Sequence, residues 1–197
     1  YGQPGKERLI LVDLGVTFGD MDTTPGIDLI MADTAWLQAN KSRIDAIFIT
    51  HAHEDHVGAL GLLWDRIGAP IHCRKFTGAL KMEERGLPTD ALNIHEPRPA
   101  VVEAGPFKVQ FVPISHSIPE SSALIIDTPA GRIVHTGDFK LDGTPVVREA
   151  FDPILWHEIA HEGDGVKVLT CDSTNVFSLH PGRSEAVLAN PILDFVM

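Results

Sequence analysis

Six consecutive residues carry the densest reactive chemistry in the chain: His51-Ala52-His53-Glu54-Asp55-His56. An apolar run precedes them and a helical pattern follows. In an extended segment, residues i and i+2 point the same way, so His51 and His53 can grip one ion. Where the chain turns into the helix, Asp55 and His56 swing toward a neighbouring position. Three imidazoles and a carboxylate suit zinc, which favours nitrogen ligands with some oxygen. The same donors admit manganese. Two later segments offer the missing ligands. Ser115-His116-Ser117 ends one strand-like run and Thr136-Gly137-Asp138 ends another. A carboxylate such as Asp138 has two oxygens and can bridge two ions about 3.5–4 Å apart.

A second motif competes with the first. His157-Glu158-Ile159-Ala160-His161 reads as H-E-x-x-H. On a helix its two histidines lie one turn apart and could bind zinc, with Glu158 as a base. A zinc peptidase needs a third ligand downstream. Glu162 is adjacent and cannot reach round, and Glu185 is remote. The segment is therefore read as an exposed amphipathic helix. His72 and His95 are read as surface or structural histidines, His135 as structural, and Glu83-Glu84 as a solvated helix face.

The elements that must position these groups alternate between strand and helix. Strand-like runs cover Leu9 to Val12, Ile44 to Ile49, Phe107 to Pro113, Ala123 to Asp127, Arg132 to His135 and Val166 to Thr170. Helical patterns cover about Asp55 to Ile67, Lys75 to Arg85, Pro153 to Glu162 and Ser184 to Phe195. Gly19 to Asp33 reads as a loop turning at Pro25-Gly26. The alternation predicts a layered α/β domain. The turn Pro129-Ala130-Gly131 predicts a hairpin, so a purely parallel sheet is not expected. Asp13, His51, His116, Asp138 and Asp172 all sit at strand ends, where layered α/β proteins build their sites. Trp36, Trp64 and Trp156 are expected in the core or partly buried on helices.

Composition narrows the partners. The chain has 197 residues, 44% of them hydrophobic, which supports a sizeable core. The net charge is −11 and excludes a broad basic surface for nucleic acid. The ten histidines stand outside that sum, and bound metal would offset the charge locally. No apolar run approaches the roughly 20 residues of a membrane helix. Cys73 and Cys171 are far apart and read as small buried residues, in keeping with a reducing, cytoplasmic compartment. The chain opens at Tyr1 and stops in the apolar run Ile192 to Met197, so a fragment of a longer protein is expected.

The order Asp13, then His51, His53, Asp55 and His56, then His116, then Asp138 resembles the metallo-β-lactamase fold superfamily. The segments Pro25-Gly26-Ile27-Asp28, Ile49-Thr50-His51, Ser115 to Ser121, His135 to Lys140 and Asp172-Ser173-Thr174-Asn175 are similar to the β-CASP nucleases of the ribonuclease J family. The resemblance implies a metallo-β-lactamase-like αββα sandwich, incomplete here. Residues 1–175 would form the catalytic portion and 176–197 the start of the inserted β-CASP region. It implies a metal-dependent ribonuclease, endonuclease and 5′-to-3′ exonuclease in the full protein. One zinc would be held by His51, His53, His116 and Asp138. A second would be held by Asp55, His56 and Asp138, plus a histidine that arrives after the insertion. A hydroxide between the ions would attack a phosphodiester in line. Asp55 would orient it, Asp172 would move a proton to the leaving group, and Asp13 would support the ligands.

His180 does not match the missing ligand, so this chain alone is expected to be weak or inactive. RNA is the expected partner, with homo-oligomers in the full-length protein and neither a membrane nor a small-molecule cofactor. Two other functions remain open on the residues. One is a hydrolase of a small lactone, thioester or lactam. The other is a non-catalytic metal-binding piece.

Overall fold

The computed structural model describes residues 1–82, 87–146, 150–180 and 182–196, with the backbone alone at 81, 82, 89, 189 and 190. The chain opens with strand β1 (Leu9–Val12), a hairpin of β2 (Val16–Phe18) and β3 (Leu29–Met31), and the short helix α1 (Ala35–Ala39). Strand β4 (Ile44–Phe48) leads into helices α2 (Glu54–Val57) and α3 (Leu60–Ile67). Then follow β5 (Ile71–Cys73), α4 (Lys75–Met82) and β6 (Leu92–Ile94). The second half contains β7 (Val102–Ala104), β8 (Phe107–Pro113), β9 (Ser122–Thr128), β10 (Gly131–His135), α5 (Pro153–His161) and β11 (Val166–Thr170). Helix α6 (Ala189–Val196) comes last.

Two sheets carry the architecture. One is parallel, in the order β1-β4-β5-β6. The other runs β11-β10-β9-β8-β7 and is antiparallel except where β10 pairs with β11. The side-chain period of two sorts each strand between layers. On β4, Ile47 faces α2 and α3, while Ala46 and Phe48 face the second sheet. On β9, Leu124 and Ile126 meet the first sheet, and Ile125 meets α5 through Ile159. The result is an αββα sandwich, as expected. Ile47, Phe48 and Ile49 are all fully buried, as a parallel strand covered on both faces requires.

Several local expectations are corrected. Gly19 to Asp33 is not all loop: Leu29–Met31 pairs with Val16–Phe18. Those strands have three residues each and are mostly exposed, so they leave no alternating pattern to read. Strands β5, β6 and β7 are equally short and likewise carry no readable period. The expected helix from Asp55 to Ile67 is two helices. The Ala59 N–H leaves the helical ladder for the Leu14 carbonyl, at 2.9 Å. Of the helix expected over Lys75 to Arg85, Lys75–Met82 is seen, and Glu83-Glu84 lie outside the described residues. The helix expected from Ser184 begins as a 3₁₀ turn at Glu185–Leu188 before α6. Trp64 and Trp156 pack partly buried, but Trp36 is exposed, under the Arg43 guanidinium. Cys73 is buried, whereas Cys171 is exposed; burial pushes the Cys73 thiol up to about 12.

Candidate metal centre

The loop after β4 meets the segments that follow β8 and β10. His51 is fully buried there. Its Nε2 lies 3.1 Å from His53 Nδ1, which lies 3.1 Å from His116 Nε2. His56 packs its ring 4.0 Å from that of His51. Its Nε2 points at Asp138 Oδ1, at 3.2 Å, and at Asp55 Oδ2, at 3.6 Å. The other oxygen of Asp138 faces His116 Nε2 at 3.8 Å. Among the described residues, two groups of three or more could hold an ion. They are His51-His53-His116 and His51-His56-Asp138, each with ligand atoms within 4.8 Å of one another. Three segments remote along the chain, holding His51 to His56, His116 and Asp138, therefore converge.

The ring orientations come from a layer behind the ligands. Asp13 follows β1 in the left-handed region, at φ 63°. Its Oδ1 accepts from the Thr50 N–H at 2.7 Å, and its Oδ2 from the Thr50 hydroxyl at 2.8 Å. The Thr50 hydroxyl in turn accepts from His51 Nδ1, at 3.0 Å. The same Oδ2 accepts from His56 Nδ1 at 2.7 Å. With both Nδ1 atoms carrying the proton, both Nε2 lone pairs turn inward. Asp13 thus supports the ligands as expected. The role of Thr50 went unrecognised, because the sequence does not show that its hydroxyl lies between Asp13 and the His51 ring. Gly15 was also missed. A side chain there would overlap the Asp55 carbonyl oxygen, so glycine lets β1's continuation lie against α2.

Electrostatics favour a cation in the middle. Burial lowers the His51 pKa to about 2, aided by repulsion from His56, His116 and His53. Burial and His53 also lower His116, against the pull of Asp138. For His56, burial opposes protonation, but Asp13, Asp138 and Asp55 outweigh it and raise the pKa. At His51 and His116 protons are disfavoured, and imidazole lone pairs aimed inward beside Asp138 fit a divalent ion.

The remaining predicted residues occupy distinct places. Asp55 has a 64% exposed side chain at the mouth. Asp172 lines a small cavity with His56 and Asp138. Burial pushes its carboxyl up, but hydrogen bonds from Thr174 and the Phe139 N–H outweigh that and leave it below the usual range. His135 Nδ1 accepts from the Gly137 N–H at 3.1 Å, shaping the turn that presents Asp138. His157, His161 and His180 are exposed and outside both ion-holding groups.

The αββα sandwich and this clustered donor set accord with sequence comparison. The profile of the metallo-beta-lactamase superfamily matches residues 3–172. The chain belongs to that superfamily. Among curated proteins it is 40% identical to Ribonuclease J of Sinorhizobium meliloti, over the whole chain and 35% of that protein. It is 39% identical to Ribonuclease J of Corynebacterium glutamicum, over 93% of this chain and 26% of that protein. The chain thus spans about a third or less of these relatives. A solved protein of unknown function from Enterococcus faecalis shares the fold, with TM-score 0.51 and 18% identity over 90% of this chain and 47% of that one.

Proposed function

We propose that this chain is the metal-binding part of a ribonuclease that hydrolyses RNA phosphodiesters. The observation that carries the reading is the Asp138 carboxylate, with one oxygen toward His56 and the other toward His116. That placement suits a bridge between two ions, the arrangement of many phosphodiester hydrolases. The identities with proteins named Ribonuclease J support RNA as the substrate. One ion would be held by His51, His53, His116 and Asp138. The second would be held by Asp55, His56 and Asp138 and completed by a histidine from further along the polypeptide. Zinc fits these donors best, and manganese also fits. When bound, such ions lower the pKa of water and neutralise charge on the phosphoryl oxygens.

The chain's own groups do the rest. Thr50 and Asp13 hold the His51 and His56 rings with Nε2 inward. Asp55, at the mouth, orients the attacking water and accepts its proton. Asp172 is ionised at neutral pH, so it must first collect a proton before handing it to the leaving oxygen. Residues 1–175 form the catalytic portion, which the superfamily match to 172 supports, and 176–197 begin an inserted β-CASP region. The longer protein acts on RNA ends and internal sites, assembles as a homo-oligomer, and works in the cytoplasm. No helix among the described residues is long and apolar enough to cross a membrane.

The test is a substrate panel with the zinc- or manganese-loaded chain: single-stranded RNA, a lactone, a thioester and a lactam. Weak, chelator-sensitive RNA cleavage, rising when the longer polypeptide is used, is the expected result. Efficient turnover of a lactone, thioester or lactam with no RNA cleavage by either polypeptide would overturn the reading.

A further inference from the structure

Among the described residues, two that are not glycine adopt a left-handed backbone: Asp13, at φ 63°, and Glu120, at φ 57°. Asp13 holds the His51 and His56 rings from behind. Glu120 lies in the loop between β8 and β9, beyond His116, where Pro119 and Glu120 form a turn. A proline followed by a left-handed residue is a turn in which glycine is favoured at the second place. Glutamate there keeps a backbone cost that glycine would remove, and a contact of its side chain must offset it.

The side chain crosses to the first sheet. Its Oε2 accepts from the Phe76 N–H at 2.5 Å, at the start of α4, and its Oε1 stands 3.9 Å from Arg74 Nη2. Its charge reaches Cys73 as well, adding to the burial that raises that thiol. The Arg74 side chain is buried and its Nε has no hydrogen-bond partner, so a nearby carboxylate is needed to offset the guanidinium charge. Glu120 therefore spans from the β8–β9 loop to the junction of β5 and α4.

The same loop carries a metal-binding group. His116 Nε2 lies 3.1 Å from His53 Nδ1, and the Ser117 hydroxyl lies 3.4 Å from His53 Nε2. Backbone pins the two ends of the loop. The Lys140 N–H donates to the Ser115 carbonyl at 2.7 Å, and the Ser122 N–H to the Thr50 carbonyl at 3.0 Å. Between them the Ser121 hydroxyl donates to the Ile118 carbonyl, a contact within the loop. The Glu120 carboxylate adds a tie from the middle of the loop to a helix of the other half.

We infer that Glu120 is a positioning residue for the metal centre: by tying the β8–β9 loop to the start of α4, its carboxylate sets where His116 stands relative to His53 and His51. The inference rests on the reading of these histidines as ligands, and not on RNA as the substrate.

The experiment measures zinc affinity, by competition with a coloured chelator, and the visible spectrum of the cobalt(II)-loaded chain. Glu120→Ala and Glu120→Gly both lose the tie and should bind zinc about three- to tenfold more weakly. Their cobalt bands should change in position and intensity as His116 leaves its place. Glu120→Gln keeps an oxygen to accept from the Phe76 N–H and should bind zinc as the parent does. Glycine also relieves the left-handed backbone, so the metal-free Gly variant should melt above the metal-free Ala variant. Affinity then follows the side chain while stability follows the backbone, a separation that a merely structural role would not give. Asp127→Asn, which loosens the pair with Arg132 at the far end of β9, should leave affinity and spectrum at the parent's values. Parental affinity and spectrum in both the Ala and Gly variants would overturn the proposal. So would an affinity that simply tracks the metal-free melting point across all four variants. A parent that holds zinc but cleaves no RNA, alone or within the longer polypeptide, removes the ribonuclease reading and leaves this role standing. A parent that holds neither zinc nor cobalt overturns both.

Discussion

After β4, the fully buried His51 ring lies 4.0 Å from that of His56. On α5, the His157 and His161 rings lie almost as close, at 4.2 Å, but both are exposed. Closeness of two imidazoles therefore does not separate the regions. What separates them is who else arrives. The first pair is met by His53 from its own loop and by His116 and Asp138 from two other segments, and Asp13 fixes two of the rings from behind. The second pair belongs to one helix whose apolar side, through Ile159, faces the second sheet and turns the histidines to water. His161 Nδ1 donates to the His157 carbonyl at 2.8 Å, a contact within the helix. A tight metal site needs ligands that tertiary structure brings together, and a helical repeat supplies only two.

The comparison breaks most sharply on metal content. His51→Ala removes a ligand shared by both ion-holding groups, so bound zinc per chain should fall to near zero after dialysis. His157→Ala should leave it unchanged. The opposite pattern, read by elemental analysis of the two variants, would show that the helix holds the ion.

The next effect concerns the layer behind the ligands. Asp13→Asn keeps the size of the side chain but cannot accept at every oxygen. One ring partner, Thr50 or His56, then loses its acceptor. Zinc affinity, from competition with a coloured chelator, should drop about 10- to 100-fold. No comparable residue backs His157 and His161, so a change beside them should leave affinity as it was. Gly15 sharpens the same contrast through backbone. Gly15→Ala forces a methyl against the Asp55 carbonyl, which must move with α2. A loss of ~2–3 kcal/mol in denaturant unfolding is expected, together with weaker zinc binding.

How much of this was legible follows from the same contrast. The ligand segments were readable because each sits at the end of an apolar strand, where pattern and chemistry coincide. The six longest strands were found within a residue or two, since each runs four or more residues rich in Val, Ile, Leu or Phe between turn and polar residues. The three-residue strands were not, because their pairing is decided by neighbours far along the chain. Thr50, Gly15 and the inward turn of Asp138's two oxygens were also hidden. Their roles depend on distances across elements, which no spacing along the chain encodes.

A third histidine pair sets the lower limit of the comparison. His72 Nδ1 and His95 Nε2 share a hydrogen bond of 2.8 Å, and the His72 ring stacks on Phe48 and the His95 ring on Phe111. No carboxylate contributes to either shift. Burial, with repulsion from His95, lowers the His72 pKa to about 4, and burial lowers His95 as well. In the unfolded chain His72 takes up its proton near its ordinary value of 6.5. Between those limits the unfolded state binds a proton that the folded state refuses. The stabilisation is therefore complete above about pH 6.5 and is lost as pH falls toward 4. Part of each ring meets solvent, so the loss from this pair should be modest, ~1–2 kcal/mol. His72→Gln removes the titrating group and keeps a hydrogen-bonding side chain. The other eight histidines besides this pair are the same in both proteins, so the difference between their unfolding curves isolates this pair. Parent and variant should diverge from pH 7 to pH 4.5, with the parent losing more stability on acidification. Parallel curves over that range would mean that the stacked pair accepts a proton in the folded state, and that its burial is shallower than the ring contacts imply.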